Sequence, residues 1–321
     1  MTAQTLLVLG DRADPRMEAL ARAPTGVRVL VGETPEDFGD GLAQADAILC
    51  WWRGRAALDP ILAAAPPRLR WIHASAAGLD HLVSPALLAC PAVVTNSRGV
   101  YGDALGEYVL AAMLYFVKDL TRLRDAQARR AWEPFEGERL AGKVLAIVGY
   151  GDIGRAIARR AHALGVEVVA QRRRPELTAG DPDVARVTGD LRAAIAPADF
   201  VVLAAPLTPE TERLIGAEQL AWMRPGAVLI NVGRGRLVVE AALVQALQRG
   251  ALRGAALDVF ETEPLPPEHP FWAMPQVLLS PHSADRVTGW LDRTMGLFLD
   301  NLERFVRGAP LLNIVDPRRG Y

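Results

Sequence analysis

Residues 144–154 read VLAIVGYGDIG, and their reading decides the fold. Val144 to Val148 are continuously apolar, the pattern of a parallel strand buried on both faces. They lead straight into Gly149-Tyr150-Gly151-Asp152-Ile153-Gly154. A helical pattern follows, with Ile153, Ile157, Ala161 and Leu164 on one face and Gly165 as its stop. Gly149 suits a tight turn, and Gly151 lets backbone approach a pyrophosphate lying on the helix N-terminus. Gly154 lets helix and strand pack closely. The glycine pattern alone is weak, but strand before and helix after supply the context its mechanism requires.

Working outward, six apolar runs form one set: Val144–Val148, Val166–Ala170, Phe200–Ala204, Val228–Val232, Ala255–Val259 and Val277–Leu279. Helical patterns separate most of them, which predicts a doubly wound parallel sheet. Upstream lies a second set: Leu6–Leu9, Val27–Val31, Ala47–Trp51, Leu69–Ala74 and Val93–Thr95. It predicts another α/β sheet, of flavodoxin-like order. Between the sets, Leu105, Val109, Ala112, Phe116, Leu120 and Leu123 mark one connecting helix, and residues 125–142 read as irregular. A last amphipathic pattern, Leu291, Met295, Phe298, Leu302 and Phe305, has no strand left to serve in the second set. It is expected to return to the first. The fold class is therefore α/β, with a Rossmann dinucleotide-binding domain (99–284) inserted into a discontinuous flavodoxin-like domain (1–98 and 285–321).

The chain of 321 residues is long enough for two cores. With 36 basic and 37 acidic residues it offers no electrostatic case for nucleic acid or a membrane surface. TLLVLG near the start reads as a strand rather than a signal segment. Cys50 and Cys90 give neither a disulfide framework nor metal spacing, which fits a cytoplasmic protein without a metal site. Lysine is limited to Lys118 and Lys143, as an arginine-biased genome would produce.

NAD-preferring domains end the second strand on an acid. Here that strand runs into Gln171-Arg172-Arg173-Arg174. Guanidinium groups match a ribose 2′-phosphate, so NADP(H) is expected over NAD(H), with Arg172 and Arg173 as the clamp. In doubly wound sheets, ligands bind beyond the carboxyl ends of the strands. Beyond the fourth, fifth and sixth strands lie Gly233-Arg234-Gly235, Asp258 to Pro264, and Ser280-Pro281-His282-Ser283. The glycines beside Arg234 suggest close backbone approach to a ligand. An arginine, an acid and a histidine at adjacent strand ends suit hydride transfer to the ketone of a 2-oxo acid. The arginine binds carboxylate and ketone, the histidine supplies a proton, and the acid orients the imidazole and raises its pKa.

GYGDIG, APLTPETERLIG (205–216), MRPGAVLINVGRG (223–235), ALDVFETEPLP (256–266), LSPHSA (279–284) and the closing LLNIVDPRRGY (311–321) together resemble the D-isomer-specific 2-hydroxyacid dehydrogenase family, in its glyoxylate/hydroxypyruvate reductase-like branch. The resemblance covers nearly the whole chain. It implies Arg234 as binder of carboxylate and carbonyl, His282 as acid/base and Glu263, five residues after Asp258, as its partner. Glu261 is not the matching acid. The resemblance also implies Asp258 beside the nicotinamide carboxamide, Asp152 and Ile153 on the pyrophosphate, and Ala205, Val232 and Gly233 lining the cofactor. Ala76-Ala77-Gly78-Leu79-Asp80 looks like the substrate loop, with the amides of Ala77 and Gly78 on the carboxylate. A homodimer that closes around substrate is implied as well. Glu263 departs from the formate-oxidising branch, which uses glutamine there.

The expected function is therefore an NADPH-preferring reductase of glyoxylate, hydroxypyruvate or a bulkier 2-oxo acid to the D-hydroxy acid. Two alternatives stand beside it: a nucleotide-sensing, corepressor-like regulator on the same fold, and a phosphite-type dehydrogenase. Trp51-Trp52-Arg53-Gly54 follows a first-domain strand. It reads either as a substrate subsite, with Arg53 on a second polar group and a tryptophan as wall, or as core tryptophans beside a surface arginine. The resemblance puts Trp132 in the segment that relatives use for dimer contacts, and Trp290, at the start of the return helix, is expected near the mouth of the site.

Overall fold

The chain starts as alternating strand and turn because its apolar runs are short and rich in branched residues, which favour the pleated sheet. The computed structural model describes residues 4–52, 55–178 and 180–319. Five strands come first: β1 Gln4–Leu9, β2 Val27–Gly32, β3 Ala45–Cys50, β4 Trp71–Ala74 and β5 Val93–Asn96. Helices α1 Arg55–Ala63 and α2 Pro85–Ala89 lie between the later ones. Every residue of β3 and β4 is buried, as central parallel strands require.

Then come α3 Gly102–Val117, α4 Leu120–Ala128, β6 Val144–Val148, α5 Asp152–Ala163, β7 Glu167–Gln171, β8 Arg186–Thr188 and α6 Leu191–Ile195. They are followed by β9 Phe200–Leu203, α7 Ala217–Trp222, β10 Val228–Asn231, α8 Glu240–Gln248, β11 Gly254–Leu257 and β12 Val277–Leu279. The chain closes with α9 Trp290–Arg307 and β13 Ile314–Val315.

The chain divides into two compact units, residues 1–100 with 288–321, and residues 101–287. In the first, the sheet order is β13-β5-β4-β3-β1-β2. The five early strands are parallel in flavodoxin-like order, and β13 adds an antiparallel edge on β5. Two-residue β13 carries no periodicity and was not expected from the sequence. Helix α9 covers one face of this sheet. Met295, Phe298 and Leu302 are buried with Leu6, Val8, Leu49 and Trp71. Phe298 stacks on Trp71 at 5.5 Å between ring centroids. Gly308, in the left-handed region at φ 66°, ends the helix.

The second unit has seven parallel strands, ordered β12-β11-β10-β9-β6-β7-β8, a full doubly wound sheet with β6 inside it, between β9 and β7. The seventh, β8, is only three residues long, two of them half-buried, and its pattern was too short to read. The expected single connecting helix is corrected to two. Asp119 sits in the left-handed region at φ 45°, and its carboxylate accepts a hydrogen bond from the Arg122 amide at 3.3 Å. An aspartate there both breaks α3 and caps α4. Helix α3 packs on α5 through Gly102 and Gly106. A methyl group at Gly106 would stand 3.1 Å from the Ala156 carbonyl. Among the described residues no helix is long and apolar enough to cross a membrane.

Candidate active site

The functional side chains of the second unit follow the carboxyl ends of its strands. After β6, Gly149 turns the chain at φ 92°, where a Cβ would meet the Ala205 amide nitrogen at 2.4 Å. The turn therefore presses against the segment leaving β9, and only glycine fits. A Cβ at Gly154 would stand 2.9 Å from the Gly149 carbonyl, so α5 rises directly against β6. At Gly151, by contrast, a Cβ would meet nothing within 4 Å. An open position at the start of α5, with Asp152 and Ile153 half-buried beside it, fits a pyrophosphate on the helix N-terminus. Ala205, against this turn, is buried, and so is Val232 after β10.

At the end of β7, the Arg172 amide donates to the Thr188 carbonyl at 3.1 Å, which fixes where this arginine leaves the sheet. Burial, together with the like charges of Arg155 and Arg174, holds the Arg172 guanidinium below its usual value. Arg155 was not picked out in the sequence, because on α5 it reads as one exposed arginine among several. The fold sets it beside Arg172 and over the Tyr150 ring, 5.9 Å from its centroid. Arg173 is exposed and acts electrostatically on Glu210.

Beyond β10, Asn231 clasps the turn. Its side chain donates to the Arg234 carbonyl at 2.9 Å and accepts from the Gly233 amide at 3.1 Å. Gly233 and Gly235 also answer a packing demand from the protein's own backbone. A Cβ at Gly235 would fall 1.8 Å from the Phe260 carbonyl carbon, and one at Gly233 would lie 3.0 Å from the Ala205 carbonyl. This backbone approach locks the Arg234 turn to the loop that carries Glu263.

That loop follows β11. Glu263 accepts from the Phe260 amide at 3.0 Å through Oε1 and contacts His282 Nδ1 at 2.7 Å through Oε2. The neighbouring Glu261 does something else. Its carboxylate and the Glu240 carboxylate each accept the other residue's amide, at 3.2 and 2.7 Å, which secures the start of α8. His282, after β12, holds a left-handed φ of 51°. Its amide donates to the Asp258 carbonyl at 2.8 Å. Asp258 Oδ1 gathers the rest of that loop, accepting from Ser280 Oγ at 2.6 Å, the Ser283 amide at 2.9 Å and the Ala284 amide at 3.1 Å. So one oxygen of Asp258 is spent on placing His282. Strain at a non-glycine residue persists where surroundings over-determine it, and functional sites are where such strain collects.

The hydrogen bond to Glu263 raises the His282 imidazole above its usual value. Burial and the Arg234 charge oppose this, and the charges of Glu263 and Asp258 support it. For Glu263, burial works upward but is outweighed by the hydrogen bonds from His282 and Phe260 and by the charges of His282 and Arg234, so the carboxyl is lowered. The Arg234 charge thus acts on both members of the pair. Tyr108, on α3, was missed. Its helical spacing from Ala104 and Ala112 reads as core, yet its hydroxyl is buried beside Asp258 and Ser280.

Ala77 and Gly78 belong to the first unit, in the loop after β4. Asn96 Nδ2 donates to the Ala77 carbonyl at 2.5 Å, and the Ser97 amide to the Ala76 carbonyl at 3.1 Å. Arg53 lies outside the described residues. Trp51 is a core residue, 2% exposed, with its indole nitrogen donating to Asp14 at 2.7 Å. No group of histidine, cysteine or acidic residues among the described ones is arranged to hold a metal.

Residues 110–284 match the model of the "D-isomer specific 2-hydroxyacid dehydrogenase, NAD binding domain". The chain belongs to the D-isomer-specific 2-hydroxyacid dehydrogenase family. As a member of it, the protein is an NAD(P)-dependent D-2-hydroxyacid dehydrogenase of the glyoxylate reductase branch, and the turn at Gly149–Gly154 lies within the matched NAD-binding domain. It is 34% identical to a glyoxylate reductase of Thermofilum pendens over 85% of this chain and 82% of that one. It is 33% identical to glyoxylate/hydroxypyruvate reductase B of Escherichia fergusonii over 92% of this chain and 91% of that one. Among solved structures it is similar to an NADPH-dependent glyoxylate/hydroxypyruvate reductase of Sinorhizobium meliloti in complex with NADP and sulfate. There the TM-score is 0.86 at 27% identity, covering 99% of this chain and 100% of that one. A family member from Xanthobacter autotrophicus, in complex with NADPH and MES, gives 0.83 at 31% identity with full coverage of both chains.

Proposed function

We propose that this dehydrogenase reduces a 2-oxo acid to the D-2-hydroxy acid with NADPH as the preferred donor, through Arg234, Glu263 and His282. The observation that carries the reading is the 2.7 Å contact between His282 Nδ1 and Glu263, with the Arg234 charge acting on both. Glu263 accepts a hydrogen bond from Nδ1–H and so assigns Nε2 as the nitrogen that faces substrate. A raised imidazole pKa keeps Nε2 protonated near neutrality, ready to donate to the ketone oxygen. Arg234 binds the carboxylate and withdraws charge from that oxygen. The nicotinamide supplies the hydride. Gly151, Asp152, Ile153 and Gly154 hold the pyrophosphate, Gly149 supports that turn, and Ala205, Val232 and Gly233 border the dinucleotide. The second oxygen of Asp258 takes the carboxamide. The amides of Ala77 and Gly78 form a further anchor for the substrate carboxylate.

The preference for NADPH rests on the positive cluster of Arg155, Arg172 and Arg174 with neighbouring Arg173, where mutual repulsion favours a bound phosphate dianion. It is supported, too, by structural relatives that were solved with NADP or NADPH. We further propose that the working form is a homodimer, since Trp132, just after α4, is 95% exposed.

The test is a panel of glyoxylate, hydroxypyruvate and larger 2-oxo acids, with phosphite as a separate arm, assayed with NADPH and with NADH by loss or gain of nicotinamide absorbance. Turnover of 2-oxo acids with NADPH is expected. Binding of dinucleotide without any turnover would favour a regulatory protein instead, and turnover of phosphite alone would replace the substrate.

A further inference from the structure

The first unit carries an aromatic feature that the reductase chemistry has not used. Trp52 stands two residues after β3, at the carboxyl edge of its sheet. Its backbone is left-handed, at φ 57°. Its side chain is 41% exposed, while the adjacent Trp51 is buried in the core. A large non-glycine residue pays for that backbone conformation, and exposed indole surface forgoes burial. Both penalties fall on one residue.

Besides the adjacent Trp51 ring, contacts to two other segments hold Trp52 where it is. Its amide donates to Ser75 Oγ at 3.0 Å, which couples it to the loop leaving β4. Its ring meets Trp290, the first residue of α9, edge to face at 5.0 Å between centroids. Cys50 of β3 pairs in register with Ala74 of β4. Trp52 therefore stands two residues past that pair on one strand, and Ala76, Ala77 and Gly78 stand two to four residues past it on the other. The indole pair and the proposed carboxylate loop are neighbours on one sheet edge.

We infer that Trp52 and Trp290 form the subsite for the substrate's side chain, and that the preferred substrates are 2-oxo acids with an aromatic or branched apolar side chain rather than glyoxylate. This rests on the reductase reading and narrows its substrate. A 2-oxo acid held by its carboxylate at Ala77 and Gly78 projects its side chain along the edge, toward the next strand end. An edge-to-face indole pair presents both a ring face and a ring edge, the geometry that aromatic partners favour. Glyoxylate has no side chain to place there.

The experiment compares kcat/KM for phenylpyruvate, 4-methyl-2-oxopentanoate and glyoxylate with NADPH, in the wild type and in Trp52→Ala, Trp52→Phe and Trp290→Ala. In the wild type phenylpyruvate is expected to exceed glyoxylate by about tenfold or more, the reach of an apolar subsite. Trp52→Ala should collapse that ratio by about tenfold, through the KM for phenylpyruvate, and Trp52→Phe should restore most of it. A wild type that prefers glyoxylate, or a ratio untouched by Trp52→Ala and Trp290→Ala, overturns the inference. If Trp52→Ala loses its native melting transition, Trp52→Leu carries the comparison, since it keeps apolar cover without a ring. A wild type that reduces none of the three substrates sinks the reductase reading separately. The subsite is then judged by quenching of tryptophan fluorescence with D-phenyllactate: quenching that Trp52→Phe diminishes supports it, and no quenching overturns it.

Discussion

His282 concentrates several constraints in one side chain: a left-handed backbone, an amide held by Asp258 and an imidazole held by Glu263. With its pKa raised, the imidazolium persists above pH 6.5, its ordinary value. Reduction consumes that proton, so its rate should fall as pH rises through the raised pKa. Oxidation of the hydroxy acid needs the neutral ring and should rise through the same value. Glu263→Gln removes the main cause of the shift, so both limbs should move to lower pH, which pH profiles of kcat/KM in the two directions would show. Profiles that coincide with wild type would free Glu263 of this role. His282→Ala should lower kcat by about 10²- to 10⁴-fold, the usual worth of a positioned acid/base group. The NADPH affinity, read by fluorescence titration, should change little. For stability the sign runs the same way on this side of neutrality. The His282–Glu263 pair contributes fully below the unfolded histidine value and loses that contribution as pH rises through the raised one. Both side chains are partly exposed, at 40% and 36%, so the stability effect is small beside the kinetic one.

Elements, more than residues, explain what could be read in advance. The strand–glycine–helix unit at 144–154 was legible because an apolar run, a glycine turn and a helical pattern follow one another without a gap, and two of the glycines, Gly149 and Gly154, answer steric demands. So was α9, because its apolar face at helical spacing had to find a sheet. Phe298→Ala should accordingly cost about 3–5 kcal/mol of stability, measured by denaturant titration. The role of Gly235 was not legible. Its missing Cβ makes room for Phe260, a residue distant in sequence that only the folded sheet brings near. Gly235→Ala should therefore impair folding or displace Arg234 even though it adds a single methyl group. Near-wild-type melting temperature and KM would contradict the overlap. The arginine cluster was half legible. Arg172 and Arg173 follow from the strand end, whereas Arg155 joins them only through the packing of α5 beside β7. Arg172→Ala with Arg173→Ala should weaken NADPH about 10- to 100-fold, as loss of charge-assisted contacts to phosphate implies, and weaken NADH far less. Equal losses for both cofactors would refute the clamp.

At the scale of the whole molecule, two sheets with separate cores make up the chain, and long-range pairing fixed what local pattern left open. β13 exists because α9 returns the C-terminal segment to β5, something no two-residue motif announces. The same scale bears on assembly. Leu120 and Leu123 share a face of α4 and are 37% and 47% exposed, with Trp132 at 95% shortly after the helix ends. Scattered apolar residues need no explanation, but a tryptophan left almost wholly in water forgoes most of its burial energy. In the proposed homodimer a second copy of the chain, covering α4 and the segment after it, would recover that energy. Sedimentation of the purified protein at micromolar concentration should therefore report a dimer. Trp132→Glu, which buries a charge in such an interface, should shift it toward monomer while leaving the far-ultraviolet circular dichroism spectrum unchanged. A wild type that sediments as a monomer, or a Trp132→Glu variant that stays as dimeric as wild type, would remove this segment from the interface.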